Sequence, residues 1–145
     1  MPYDINEHRH RLAVWAAARA TSRGIGGLTV VRAGLWVEEL GLRRFVEDWR
    51  ALPDPNDFDQ EHRSWRERLI CLEKPRELCH GGAAKFINCY LKVGVVIAHA
   101  EAGNPEADRQ AKVGAIHPPV DRILRNSIAA MPNGGLAIYP AGKAW

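Results

Sequence analysis

A lysine just inside one helix and an aspartate at the start of another are the residues of this chain best suited to covalent chemistry. Lys85 follows the small-residue stretch His80-Gly81-Gly82-Ala83-Ala84, and Asp121 follows Pro118-Pro119-Val120. A glycine-rich turn before a helix directs backbone N–H groups and the positive end of the helix dipole outward, which favours a phosphate. A lysine beside such a site acts as a nucleophile and forms a Schiff base when it is partly desolvated. We therefore expect residues 80–84 to form a phosphate-contacting turn and Lys85 to be a candidate nucleophile.

Asp121 is predicted to cap the helix that it opens. A carboxylate at a helix N-terminus accepts backbone N–H hydrogen bonds and stays ionised. Near a sugar C1′ this charge stabilises an oxocarbenium-like transition state, so an amine and a carboxylate together suffice to cleave an N-glycosidic bond and hold the sugar. We expect the fold to bring Lys85 and Asp121 together. The structural alternative, a solvated helical lysine and a capping aspartate, stays open.

These two stretches resemble the helix-hairpin-helix DNA glycosylases, in particular the 8-oxoguanine glycosylase branch. Gly81, Lys85 and Cys89 stand where that family has its hairpin, its nucleophilic lysine and a cysteine four residues later. Pro119-Val120-Asp121 matches the Pro-Val-Asp that opens a helix in the family. The match covers residues 78–125, and the resemblance implies a helix-hairpin-helix motif over about residues 63–101.

The resemblance implies base excision from DNA by a glycosylase or AP lyase that acts on a damaged purine such as 8-oxoguanine. The target nucleotide would be flipped into a pocket, Lys85 would attack C1′, and Asp121 would stabilise the developing charge. The implied partner is double-stranded DNA, with RNA as an open alternative, and no cofactor, metal or membrane is expected. The residues implied for the DNA backbone are His80, Gly81, Gly82 and Ala83, and those assigned to the base pocket are Cys89, His117 and Trp145.

A different class of function fits the same residues. The chain could be a non-catalytic nucleic-acid-binding protein, or an interaction protein of a phage–host conflict system, in which both stretches are structural. The net charge of +3 permits nucleic-acid binding but does not demand it. The Lys85–Asp121 distance across an open pocket would separate these alternatives.

Composition bounds the fold and the class of protein. The chain has 145 residues, of which 46% are hydrophobic, and this is enough for one domain with a sizeable core. Three cysteines without a CxxC pair argue against a disulfide framework or a four-cysteine zinc site. The chain shows no signal-like segment and no apolar run near the roughly 18 residues that span a bilayer, so we expect a cytoplasmic protein.

Apolar spacing predicts a single all-α domain over residues 1–145, a compact helical bundle without convincing strands. The first helix is assigned a small, tightly packable inward face that consists of Leu12, Trp15, Ala16, Ala18 and Ala20. Inward positions in the second helix are assigned to Val31, Leu35 and Trp36. The predicted helices are 4–22, 30–40, 42–52, 57–72, 78–102, 106–112 and 121–131, followed by an irregular tail at 132–145.

The six histidines raise a metal hypothesis. Glu77 and His80 have Glu-x-x-His spacing, and Asp59 and His62 have Asp-x-x-His spacing; two such motifs on facing helices can hold two metal ions. Each motif lacks its additional carboxylate, so no metal site is expected.

Overall fold

The computed structural model describes residues 2–23, 25–72, 78–100, 106–120, 126–127 and 130. Over these residues the protein is all-α without strands, as the apolar spacing predicted. The helices are α1 (Ile5–Thr21), α2 (Val30–Leu40), α3 (Arg43–Glu47), a 3₁₀ turn (Trp49–Ala51), α4 (Phe58–Leu72), α5 (His80–Leu91), a π-helical turn (Lys92–Val96), α6 (Ile97–Ala100) and α7 (Ala107–Gly114).

Local capping residues set the bounds of the first two helices. The Asp4 carboxylate accepts the N–H groups of Asn6 and Glu7 at 2.9 and 3.2 Å, which starts α1. The Thr29 hydroxyl accepts the N–H of Arg32 at 3.1 Å at the start of α2. Gly41 ends α2 with φ +67°, in the left-handed region that favours glycine.

The predicted single helix over 42–52 is wrong. The chain is extended at Asp48, with φ −144° and ψ 110°, and the Asp48 carboxylate accepts the N–H of Arg50 at 3.0 Å. This local hydrogen bond caps the 3₁₀ turn and competes with continuation of α3. Even so, Phe45, Val46 and Trp49 are buried, as their spacing predicted.

Helix α5 is the central element of the core. It packs mainly against α1 and also against α4, and its Phe86, Ile87 and Leu91 side chains are completely buried. The π-helical turn and α6 continue α5 to Ala100, which agrees with the predicted long helix as far as the described residues reach.

The inward face predicted for α1 and α2 is partly wrong. Leu12 and Trp15 are exposed on α1, and Val31 and Leu35 are exposed on α2, whereas Ala18 and Trp36 are buried as expected. Small residues form the buried face of α1, since alanines allow a closer helix approach than a tryptophan would. The buried residues of α1 are His10, Ala13, Val14, Ala17, Ala18 and Thr21.

Gly94, in the π-helical turn, makes that close approach possible. A Cβ built on Gly94 would lie 2.6 Å from Val46 Cγ2 and 3.4 Å from Ala13 Cβ. Helix α1 and the α3 segment therefore meet the central helix where only glycine fits.

The helical stretch His80–His99 is, by its length and its mean hydropathy of 1.2, apolar enough to cross a membrane. The sequence predicted no such stretch. Half of it is buried inside the protein, and packing against α1 and α4 accounts for its apolar composition.

The substitution Gly94→Ala should destabilise the protein by about 1–3 kcal/mol, because the added methyl group must displace Val46 or α1. The matched control is Gly34→Ala in α2, whose Cβ would lie in ordinary contact, 4.0 Å from Val14 Cγ1. Gly34→Ala should leave stability unchanged or raise it through better helix propensity. Urea unfolding of both variants measures the difference, and equal stabilities would contradict the close packing at Gly94.

Candidate functional site

The start of α5 is helical from His80 onward, so the predicted turn over 80–84 is wrong. Cys79 is the N-cap, and its Sγ accepts the Gly82 N–H at 3.4 Å. His80 and Gly81 are exposed in the first helical turn, where N–H groups have no partner within the helix. An anion at this point would meet a helix N-terminus rather than a preceding hairpin turn.

Ala83 is wrongly assigned to the DNA-contacting residues. Its side chain is fully buried, and its N–H donates to the Cys79 carbonyl at 2.9 Å. Gly82 is half-buried, and a Cβ there would lie 3.0 Å from Leu78 Cδ1. The outward surface of this turn therefore comes from His80 and Gly81.

Lys85 is half-buried one turn further along α5. Burial raises the pKa of the neighbouring Cys89 thiol, and the positive charges of Lys85 and Lys92 oppose that shift without cancelling it. Cys89 therefore stays protonated at neutral pH, which leaves it a poor nucleophile.

A hydrogen bond joins the second predicted stretch to the helix that carries Lys85. The Asn88 Nδ2 group donates to the Pro118 carbonyl at 3.3 Å, and Asn88 is buried. Residues 85 and 88 are three apart on a helix and therefore share a face. The segment that leads to Asp121 thus lies against the Lys85 face of α5.

Asn88 is held in turn by a buried histidine of α4. Its Oδ1 lies 2.8 Å from His62 Nε2, and His62 is only 2% exposed. Both polar atoms of the Asn88 amide are therefore satisfied, one by α4 and the other by the 116–120 segment. A buried polar network of this kind fixes one relative position of the elements that it joins.

His117 makes the second contact between this segment and α4. Its Nε2 lies 2.7 Å from Asp59 Oδ1, and its ring centroid is 4.8 Å from that of His62. The Phe58 ring packs against both imidazoles, with centroid separations of 5.3 and 6.0 Å. Because Asp59 pairs with His117 rather than joining His62, the Asp-x-x-His metal motif is not assembled.

The described part of the chain contains no group of three or more histidine, cysteine or acidic side chains placed to hold a metal ion.

Burial is the main reason that the pKa of His62 falls from 6.5 to about 4, and His117 and Arg66 contribute to the shift. The hydrogen bond to Asn88 opposes it. Neutral His62 can donate its Nε2 proton to the Asn88 oxygen, which leaves the Asn88 amide group to donate to Pro118. The Nε2–H donor exists in both protonation states of His62, so the connection between α5 and the 116–120 segment rests on the geometry of Asn88.

Several predicted residues lie outside the described part of the chain. Asp121, Trp145 and Glu77 are among them, so the Lys85–Asp121 distance and the place of Trp145 stay predictions. Most of the helix predicted over 121–131 is also outside; within it, residues 126 and 127 are helical and the Ala130 N–H donates to the Asn126 carbonyl at 3.1 Å.

The pairing of His62 with Asn88 is a feature that the sequence did not predict. The sequence pattern that could have indicated them is a polar residue on an apolar helical face. On α4, His62 lies on the same face as Phe58, Trp65 and Leu69, all of which are buried. Asn88 stands beside Ile87 on α5. Buried polar groups on two core helices need each other as partners, and the sequence does not say which pairs form.

Comparison of the chain with protein-family models, curated proteins and solved structures gave no match. The glycosylase resemblance is therefore carried by the Lys85 and Asp121 stretches alone.

The protein should lose stability as the pH falls from about 6.5 to 4. Unfolded His62 binds a proton with a pKa near 6.5, whereas folded His62 does so only near 4. The contribution of neutral His62 to the free energy of unfolding is therefore fully present above pH 6.5 and is lost as the pH falls below that value. The loss is up to roughly 3 kcal/mol, since one pKa unit corresponds to about 1.4 kcal/mol. Denaturant unfolding across this pH range measures the loss.

The variant His62→Gln keeps a side-chain donor but cannot titrate, so its stability should depend less on pH over the same range. Burial also lowers the pKa of His10, which leaves a residual dependence. An identical pH dependence in wild type and His62→Gln would contradict the buried neutral state of His62.

Proposed function

We propose that this protein binds DNA and excises a damaged purine as a base-excision glycosylase with AP lyase activity. Lys85 is the nucleophile, and Asp121 stabilises positive charge on the sugar. The amine attacks C1′ as the bond to the base breaks; the base leaves with its bonding electrons and takes up a proton. The resulting Schiff base links Lys85 to the opened sugar.

The Asn88–Pro118 hydrogen bond is the observation that carries this proposal. Along α5, Lys85 precedes Asn88 by three residues, about 4.5 Å of helix rise. Along the chain, Asp121 follows Pro118 by three residues, which reach at most about 11 Å even when extended. This contact supports the proposal, because the segment that leads to Asp121 passes Pro118 on the side of α5 that carries Lys85.

The start of α5 supports the DNA contact. Gly81, Lys85 and Lys92 follow one another at helical spacings of four and seven residues, so they share a face with Asn88. Gly81 and Lys92 are exposed and Lys85 is half-buried. An exposed helix N-terminus followed by two lysines suits the phosphate backbone.

A non-catalytic interaction protein is the second candidate, and a specific observation favours it. Helices α1 and α2 expose Trp15, Val31 and Leu35, which play no part in the proposed chemistry. Exposed apolar residues in a row are characteristic of a contact surface.

Borohydride trapping tests the proposed chemistry. Borohydride reduces the Schiff base to a stable amine, so incubation with duplex DNA containing 8-oxoguanine or an abasic site should give a covalent protein–DNA band on a denaturing gel. Lys85→Gln should abolish that band. Lys92→Gln, on the same face two turns further along, removes a proposed phosphate contact but keeps the nucleophile, so it should still give the band when the protein is in excess over DNA.

Asp121→Asn should reduce excision of 8-oxoguanine more than trapping on a pre-formed abasic site, because the carboxylate acts while the base leaves. The glycosylase proposal is wrong for these lesions if the wild-type protein forms no covalent band and if treatment of the products with alkali also reveals no base release. The non-catalytic interaction protein would then be the better-supported candidate.

The DNA contact at the start of α5 is tested separately by Gly81→Asp. The new carboxylate repels phosphate, so duplex affinity in a gel-shift titration should fall. An acid in the first turn favours the helix dipole, so a loss of binding would not reflect a loss of folding. Gly81→Ala, without the charge, should bind more tightly than Gly81→Asp, and wild-type affinity should fall steeply with salt. Equal affinity of all three proteins would remove this turn from the interface.

A further inference from the structure

A cavity of about 320 Å³ lies between α1 and α2 and has no part in the proposed base excision. Its volume is that of a small ligand pocket, and its lining combines polar side chains with valines, as ligand pockets commonly do. The lining residues are Glu7, His10, Arg11, Val14, Val30 and Gly34.

His10 is the buried polar side chain of this cavity. It is only 8% exposed, and its Nδ1 lies 2.9 Å from the hydroxyl of Tyr90 on α5, which is completely buried. The other ring nitrogen, Nε2, lies towards α2, where Glu38 Oε1 is 3.7 Å away. That separation is too long for a hydrogen bond, and Nε2 has no closer partner among the described residues. One nitrogen of a buried imidazole therefore faces the cavity without a hydrogen bond.

The contact with Tyr90 decides which ring nitrogen carries the proton. Among the described residues, His10 Nδ1 is the one acceptor for the buried Tyr90 hydroxyl, and a buried donor without an acceptor is costly. The hydroxyl therefore donates to Nδ1, and neutral His10 carries its proton on Nε2. Burial lowers the pKa of His10, and the charge of Arg43 lowers it further, so the ring is neutral at neutral pH. The carboxylates that oppose this shift without cancelling it are those of Glu38, Glu7 and Glu47.

The two carboxylates nearest the cavity differ in how they are paired. Both oxygens of Glu7 are engaged, Oε1 by Arg11 Nε at 2.6 Å and Oε2 by Arg43 Nη2 at 2.8 Å. Glu38 is more exposed, and its contact with Arg43 is longer, at 3.6 Å. Glu38 therefore remains able to accept a hydrogen bond, and it stands beside the Nε2–H donor of His10.

A donor beside an acceptor is complementary to a primary carboxamide, which carries a carbonyl acceptor and an NH₂ donor side by side. From this match we propose that the cavity binds a small aliphatic carboxamide. His10 Nε2–H donates to its carbonyl oxygen, Glu38 accepts from its NH₂ group, and its aliphatic part lies against Val14 and Val30. A carboxylate of the same shape is repelled by Glu38, and an ammonium group leaves the His10 donor without an acceptor.

Titration of the whole chain with isobutyramide, followed by the methyl NMR signals of Val14 and Val30, tests the proposal. Both signals should shift and saturate with a Kd in the millimolar range, as expected for so small a ligand. Isobutyrate has the same shape with a negative charge, and repulsion by Glu38 should weaken its binding at least about tenfold. The absence of a saturable shift with isobutyramide would overturn the site, and equal affinity for isobutyrate would overturn the carboxamide as its ligand.

Gly34→Leu tests the location of the site. Among the described residues, a Cβ built on Gly34 would meet only Val14 Cγ1, at 4.0 Å, so a larger side chain has room to extend into the cavity. This variant should lose isobutyramide binding. The matched control is Gly114→Leu on α7, an exposed position where a Cβ would meet nothing within 4 Å, and it should keep the wild-type Kd. Unchanged binding by a Gly34→Leu protein that keeps its helix content in far-UV circular dichroism would place the ligand elsewhere.

Glu38→Gln tests the hydrogen-bonding pair without filling the cavity. Its ion pairs are on the surface, so their loss should leave the fold intact. Without the charge, most of the preference for isobutyramide over isobutyrate should disappear, and an unchanged preference would overturn the role of Glu38. The ¹⁵N NMR signals of the His10 ring should show the proton on Nε2, and a proton on Nδ1 alone would overturn the donor.

Discussion

The close approach at Gly94 is the contact on which the arrangement of the helices depends. With no side chain at that position, Val46 and Ala13 reach the backbone of the central helix, and α1 lies on it through small residues. Because the small-residue face of α1 packs on the central helix, the orientation of the other α1 side chains is also fixed. It places His10 Nδ1 2.9 Å from the Tyr90 hydroxyl, a hydrogen bond inside the core, and it turns Leu12 and Trp15 towards solvent.

The central helix holds its neighbours through polar contacts on opposite sides. Tyr90 reaches His10 of α1, while Asn88 reaches His62 of α4 and the Pro118 carbonyl. Burial raises the pKa of Tyr90 and lowers that of His62 to about 4, so both stay neutral and no unpaired charge enters the core. Directional hydrogen bonds therefore fix the rotation of α5, and that rotation decides where Lys85 points.

The residues proposed for base excision and the exposed apolar side chains lie on different helices. The face with Gly81 and Lys85 belongs to α5 and adjoins α4 and the 116–120 segment, whereas Trp15 and Leu35 belong to α1 and α2.

The sequence by itself determined the helical class and most helix bounds, because these depend on local chemistry and short-range periodicity. It also picked out Lys85 as a candidate nucleophile by its position within α5. The tertiary structure decided the rest. Helix α1 is apolar on two faces, so periodicity alone cannot say which is buried; the fit of Ala13 against Gly94 decides it. Asn88 and His62 are 26 residues apart, and only packing of α4 on α5 makes them partners.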